Sequence, residues 1–150
     1  MTTKSMPCIS LWQPWASLVM GGFKQFETRS WKPPASLVDG LIAVHASKRW
    51  TRDEQYYTDK FIRDYPEVAP VLRPEGYQNP PLGAILCVCR LVEYRSTNDP
   101  EAPHTVTVRE RSFGDWSPNR YVWRMEIIKV PPEPIPMAGK QGIWRWEYEL

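Results

Sequence analysis

Gly22-Phe23-Lys24-Gln25-Phe26-Glu27-Thr28-Arg29 places a cation, an anion and a second cation within six residues. If the chain is extended from Phe26 to Arg29, successive side chains alternate between the two faces of the strand. Glu27 and Arg29 then share one face, and Lys24 at the start of the strand can join them. A lone surface ion pair contributes little to stability, so three charges grouped beside glycines are better explained by a ligand than by folding.

Short strands and two helices are predicted around this stretch. One helix follows Pro14, runs through Trp15 and stops at Gly21, and a second runs from about Arg52 to Tyr65, where Thr51 and Glu54 fit a capping box. A loop is predicted for Pro70–Pro81, a rigid connector for Pro131–Pro136, and a mobile excursion that can contain a short strand at Thr105–Arg109 for Ser96–Pro118. The predicted strands are Cys8–Leu11, Phe26–Arg29, Leu41–His45, Gly83–Tyr94, Arg120–Val130 and Gly142–Leu150.

The strand and helix pattern favours an α+β fold. About six short strands with two clear helices, outside a βαβ alternation, predict a small closed or partly closed β-barrel with helices packed outside. At 150 residues the chain is expected to form a single domain over residues 1–150.

Composition narrows the function classes. No apolar run approaches the roughly 20 residues needed to span a bilayer, and no signal-peptide region follows Met1–Met6, so we expect a cytoplasmic protein that does not bind membranes. A net charge of +2 is too small for a nonspecific nucleic-acid coat, so any nucleic-acid site must be local. The three cysteines are Cys8, Cys87 and Cys89, and with only two histidines they predict buried thiols, no metal site and no cofactor.

Three motifs in order resemble the ASCH domain family. They are Ser10-Leu11-Trp12-Gln13-Pro14-Trp15-Ala16, then Gly22-x-Lys24-x-x-Glu27-x-Arg29, then Gly40 followed by His45-Ala46-Ser47-Lys48. Later segments, Leu82–Ile85 and Gly139–Trp144, are similar to the family's closing strands, so the resemblance covers nearly the whole chain. It implies a PUA-like β-barrel, a fold related to domains that read RNA or modified bases.

The resemblance implies a charged, aromatic-lined cleft between the barrel and the first helix. Lys24 and Arg29 would engage phosphate or base acceptors, and Glu27 would accept from an exocyclic amine. Trp12 or Trp15 would stack on a base, although Trp15 shares an apolar helix face with Leu18 and Val19 and is better interpreted as core. The full set of expected ligand-binding residues is Trp12, Gln13, Lys24, Glu27, Arg29, Ser47, Lys48 and Arg49.

Residues after the third strand have two interpretations each. His45 ends an apolar strand, where a hydrogen-bonded structural histidine is commoner than a catalytic one. Lys48, Arg49 and Arg52 are basic residues at a helix start, which opposes the helix macrodipole, and an anionic phosphate would relieve that cost. The basic residues in Arg109-Glu110-Arg111 alternate with an acid and give no argument for a site.

The leading hypothesis is a domain that binds RNA or a modified nucleoside. The second is an enzyme, either a ribonuclease or an amidohydrolase acting on acylated cytidine, with Lys24 and Glu27 catalytic and His45 and Lys48 secondary. Some relatives use a Lys and a Thr three residues later, but Glu27 stands at that position here, which weakens the hydrolase hypothesis. The third is a protein-interaction adaptor that uses exposed tryptophans and the proline-rich segment Val130–Pro136.

Overall fold

The structure, a computed structural model, describes residues 3–75, 77–100 and 106–149. Its helices are α1 (Trp15–Met20), α2 (Arg52–Asp64), α3 (Ala69–Leu72) and α4 (Val108–Ser112), with single 3-10 turns at Ala35–Leu37 and Pro66–Val68. Its strands are β1 (Thr3–Leu11), β2 (Phe26–Arg29), β3 (Leu41–Ala46), β4 (Ala84–Ser96), β5 (Tyr121–Lys129), β6 (Ile135–Pro136) and β7 (Ile143–Glu149).

All seven strands belong to one sheet with the order β2-β5-β4-β3-β1-β7, and β6 pairs with β4 outside this path. Strands β1 and β3 are parallel, whereas the other pairs are antiparallel. The long β4 is central, because it pairs with β3 and β6 through its first residues and with β5 along the rest.

The sheet is not closed into a barrel, so the closed form of the predicted closed or partly closed barrel is wrong. Within the described residues, β2 pairs with β5 alone and β7 with β1 alone, which leaves two edges. The strand β2 has four residues, and its side toward β1 has no strand pairing in the described part of the chain. A side chain bridges β2 to β1 instead, since Arg29 Nη2 donates to the Ser10 carbonyl oxygen at 3.3 Å. The general α+β class, with few helices beside the sheet, is confirmed.

Apolar side chains from the sheet and the helices form separate clusters. Trp123 of β5 and Ile42 of β3 lie in the main cluster and are completely buried. A second cluster holds the helices together through Leu18, Phe61, Val68, Leu72 and Phe113. Phe113 thereby ties the segment after β4 to the helical layer.

Predictions that rest on residues close together in the sequence are confirmed. The strand β2 has the predicted bounds, and the capping box at the start of α2 is present. The three cysteines are buried and free, as predicted. None of the helices in the described ranges is long and apolar enough to cross a membrane.

Two predictions about connecting segments were wrong. A helix, α4, occupies Val108–Ser112 where the short strand was predicted, because Thr107 caps it by accepting from the Glu110 N–H at 3.1 Å. Thr105, the first residue of that predicted strand, lies outside the described residues. The predicted loop from Pro70 begins inside α3, and its N-terminal part is therefore helical.

Candidate functional site

A cavity of about 1030 Å³ opens beside the free edge of β2. Its walls come from β2, the ends of β1 and β3, helices α1 and α2, and two loops at 112–115 and 138–142. The aromatic residues in the wall are Trp12, Trp15, Trp31, Tyr57, Phe61 and Phe113. Charged and aromatic side chains therefore face the same space.

Lys24, Glu27 and Arg29 form one charged group in the wall, which also contains Lys48, Asp115, Arg120 and Lys140. Lys24 Nζ lies 3.9 Å from Glu27 Oε2, and Arg29 Nε lies 3.7 Å from Glu27 Oε1. The exposed fractions of these side chains are 2%, 12% and 26%, so the carboxylate is held between two cations that are largely out of water. The predicted grouping of the three charges is present.

Two atoms of this group lack a hydrogen-bond partner in the described part of the chain, although their side chains form the ion pairs described above. Glu27 Oε2 and Arg29 Nε are buried and make no hydrogen bond with the described residues. The Lys24 amine, in contrast, donates to the Phe26 carbonyl oxygen. A buried polar atom without a hydrogen-bond partner is costly, so this group is held in place at the expense of stability.

The strand β2 presents its other side chains to the loop that follows α4. Phe26 makes an edge contact with Trp116 at a ring separation of 5.9 Å, and Thr28 Oγ1 accepts from the Asp115 N–H at 3.1 Å. These contacts agree with the predicted alternation of faces. Thr28 still borders the cavity, because the loop at 112–115 folds over the edge of β2.

Glu110 of α4 is a residue that sequence reasoning missed. Its Oε1 accepts from the Gln25 N–H at 2.5 Å, and its Oε2 is buried without a hydrogen-bond partner among the described residues. Burial raises the pKa of Glu110, and the Gln25 hydrogen bond and the positive charge of Lys24 oppose that rise. Glu110 therefore fixes the chain just before β2 and adds a second carboxyl group near Lys24.

His45 belongs to a chain of hydrogen bonds at the back of the cavity. Its Nε2 lies 2.7 Å from the Met137 carbonyl oxygen, which can only accept, so Nε2 carries the proton. Ser10 Oγ lies 3.0 Å from His45 Nδ1 and accepts from Trp144 Nε1 at 3.0 Å. Burial lowers the pKa of His45, as does Lys48 more weakly, while the Met137 bond opposes this. The histidine is thus neutral at pH 7 and hydrogen-bonded at both nitrogens.

Gly139 lies directly against this hydrogen-bonded chain. A Cβ at position 139 would be 2.4 Å from His45 Cε1 and 2.8 Å from Ser10 Oγ. Only a residue without a side chain allows the loop at 138–142 to approach so closely.

Two of the expected ligand-binding residues do not line the cavity. Gln13 is completely buried, and its amide donates to Ser17 Oγ at 2.8 Å and to the Pro81 carbonyl oxygen at 2.7 Å. Arg49 instead places its guanidinium over the Trp12 ring, 4.1 Å from the centroid. Gln13 thus holds the start of α1 in place, and Arg49 acts at the mouth of the cavity.

The remaining expected residues do line it. Ser47 Oγ accepts from the Arg49 N–H at 3.1 Å, and Lys48 is exposed. Trp15 is half-buried and contacts Tyr57 at a ring separation of 5.2 Å, so it packs on α2 and also forms cavity wall. Trp31 makes an edge contact with the core residue Trp123 at 5.0 Å, which fixes its position in the wall.

A family model described as the ASCH domain matches residues 9–135. The chain belongs to the ASCH domain family. ASCH domains have a PUA-like fold that is often linked to RNA binding. The family assignment covers the cavity wall from the end of β1 to β6, including the Lys24, Glu27 and Arg29 group.

Solved structures of ASCH from Zymomonas mobilis are similar to this chain. One shares 16% identity at a TM-score of 0.44 and covers 87% of this chain and 72% of that chain. Two mutant forms of that protein share 14% and 15% identity at TM-scores of 0.47 and 0.45, and cover 87% of this chain and 74% and 73% of theirs.

Proposed function

We propose that this ASCH domain binds RNA, or a modified nucleoside, by holding one base in the cavity. One observation supports this above the others. Glu27 stands between Lys24 and Arg29 in an aromatic wall, and the Glu27 and Arg29 side chains keep 12% and 26% of their surface exposed. A base edge supplies both a donor and an acceptor, one for the carboxylate and one for the guanidinium.

The chemistry of each group fits a nucleobase. A carboxylate accepts only, so Glu27 would select an edge with an exocyclic amine or a ring N–H. Arg29 would donate to a carbonyl or ring nitrogen of the same base. RNA-binding proteins commonly read unstacked bases in this way, with aromatic side chains against the base plane.

The size of the cavity agrees with a ligand of this class. Small-molecule sites have volumes of about 300–1,000 Å³. The cavity, at about 1030 Å³, has room for a base with its ribose and phosphate. Trp15 and Tyr57 would supply apolar contact area on the α1 and α2 side, and Trp31 on the β2 side.

The protein partners of Lys24, Thr28 and His45 support binding over catalysis at these three residues. The Lys24 amine donates to Phe26 and lies beside Glu27, so it is already engaged. The Thr28 hydroxyl accepts from the Asp115 N–H, and His45 is held by Met137 and Ser10. A nucleophile or base poised for reaction would have one group directed at the substrate.

Binding is tested by fluorescence anisotropy with a labelled single-stranded RNA and the variant Glu27→Gln. The amide retains the shape but loses the charge, and a hydrogen bond to a charged group contributes about 1.5–3 kcal/mol, so we expect affinity to fall roughly 10- to 150-fold. Equal affinity in wild type and variant would remove Glu27 from the site.

Glu93→Gln is the matched control for this change. Glu93 Oε1 also lies between two cations, 3.6 Å from Arg95 Nε and 3.9 Å from Arg124 Nε, but Glu93 does not line the cavity. We expect RNA affinity to be unchanged in this variant. An equal loss in both variants would point to a nonspecific effect of net charge.

A second readout separates binding from turnover. Purified protein is incubated with N4-acetylcytidine, and separately with RNA plus Mg²⁺ or Mn²⁺, and products are separated by chromatography. We expect no product. Product formed by the wild type and lost in both Lys24→Ala and Glu27→Ala would replace the binding proposal with a catalytic one.

A further inference from the structure

We propose that Trp12 is a second, outer base-stacking site, and that the ligand is therefore a single-stranded oligonucleotide rather than a free nucleoside. This inference rests on the proposed function, because it assumes one base in the cavity. It adds a neighbouring base outside the cavity and the phosphate that links the two.

Trp12 lies at the mouth of the cavity and is only partly covered by protein. It borders the cavity, yet 52% of its surface is exposed. The Arg49 guanidinium covers one face of the ring at 4.1 Å from the centroid. No aromatic ring within the described residues stacks on Trp12, so a base can stack on the ring from the solvent side.

Arg49, which contacts one face of the Trp12 ring, is itself held in position by other residues. Arg49 Nε donates to Glu54 Oε2 at 3.1 Å, and Glu54 is buried. Glu54 Oε1 in turn accepts from the Thr51 N–H at 2.6 Å and from Thr51 Oγ1 at 2.8 Å. The capping box of α2 thus fixes Arg49, and Arg49 fixes Trp12. A surface side chain held in one position loses little entropy on binding, which favours a role in recognition.

Two exposed cations near the start of α2 fit a phosphate. Lys48 and Arg52 are exposed, and neither forms a salt bridge with any residue that the structure describes. The stem of Lys48 lies on Gly83, where a Cβ would be 2.9 Å from Lys48 Cγ and Cε, so the lysine is guided along the cavity rim. A phosphate that links the two bases would pair with these cations.

The test compares RNA ligands of different length. Binding of a nucleoside monophosphate and of a single-stranded hexanucleotide is measured by calorimetry for wild type, Trp12→Ala and Trp12→Phe. Loss of one stacked base corresponds to roughly a 5- to 150-fold loss of affinity. We expect that loss in Trp12→Ala for the hexanucleotide alone, with most of it restored in Trp12→Phe, because phenylalanine keeps a stacking face.

Tyr77→Ala is the control for loss of an exposed ring. Tyr77 is 72% exposed and does not line the cavity, so we expect no change with either ligand. If Trp12→Ala weakens both ligands equally, or neither, the outer site is refuted while the proposed function stands. If wild type binds neither ligand, the proposed function itself fails and the outer site falls with it.

Arg49→Lys tests separately whether Arg49 holds the Trp12 ring in position. Lysine keeps the positive charge but lacks the planar guanidinium that lies over Trp12. We expect weaker hexanucleotide binding with unchanged binding of the monophosphate. Full hexanucleotide affinity in Arg49→Lys would overturn the role of Arg49 as a positioning residue for Trp12.

Discussion

Gly139→Ala tests whether the loop at 138–142 is held against the back of the cavity. The added Cβ would lie 2.4 Å from His45 Cε1, 2.7 Å from His45 Nδ1 and 2.8 Å from Ser10 Oγ. Carbon atoms in contact normally stand about 3.5–4.0 Å apart, so the loop or the histidine must move by about 1 Å. Either movement strains the bonds that join His45 to Met137 and Ser10.

The change in the free energy of unfolding of Gly139→Ala is the difference between two opposing effects. Overpacking a well-packed site costs about 1–3 kcal/mol, and replacing glycine by alanine in an ordinary backbone conformation returns about 0.4–1 kcal/mol. The middle of each range gives a net loss of about 1.3 kcal/mol. In a chain of this length, that corresponds to a Tm lower by about 3–5 °C.

Calorimetric melting gives the stability change, and NMR titration gives the state of His45. The pKa of His45 should change, because loosening the loop relieves the burial that lowers it and weakens the Met137 bond that raises it. Gly142→Ala is the control, since its φ of +67° strains a side chain while no atom lies within 4 Å of its Cβ. It should lower the Tm without changing the His45 titration. A Gly139→Ala protein as stable as wild type, with His45 unaltered, would refute the reasoning.

Four further predictions follow from the geometry. Thr51→Ala should lower the free energy of unfolding by about 0.5–2 kcal/mol in urea titrations, because it removes the cap of α2. As the pH falls below 6.5, His45 takes up a proton in the unfolded chain before it does so in the folded protein, because folding lowers its pKa. The free energy of unfolding of the wild type should therefore fall below pH 6.5, and that of His45→Gln should fall less steeply. Folding raises the pKa of Glu110 above 4.5, so wild type should lose stability relative to Glu110→Gln as the pH rises through that region. Phosphate contacts by Lys48 and Arg52 would give a slope of log K against log salt concentration of about −1.4 for single-stranded RNA, and a slope of zero would exclude them.

The charged group could be predicted from sequence because its geometry is local. Glu27 and Arg29 are two residues apart on β2, and Lys24 lies two residues before the strand begins. Because side chains alternate between the two faces of a strand, this spacing brings the three charges together. The cap of α2 was predictable for the same reason. Thr51 and Glu54 lie within one helical turn.

The contacts that escaped prediction join residues far apart in the chain. The Gln25 N–H is bonded to Glu110, 85 positions away, and the Gln13 amide is bonded to Pro81, 68 positions away. Composition and periodicity contain no information on such pairs. The open edge of the sheet also depends on residues far apart in the chain, because β1 and β2 face each other across the Arg29–Ser10 hydrogen bond without pairing as strands.

A crystal structure of the protein with a short single-stranded RNA would show directly whether a base enters the cavity. We expect one base inside the cavity, with an amine or N–H within hydrogen-bond distance of Glu27 and an acceptor facing Arg29. The adjacent base should stack on Trp12. RNA bound on another surface with the cavity empty, or a backbone rather than a base facing Glu27, would contradict these expectations.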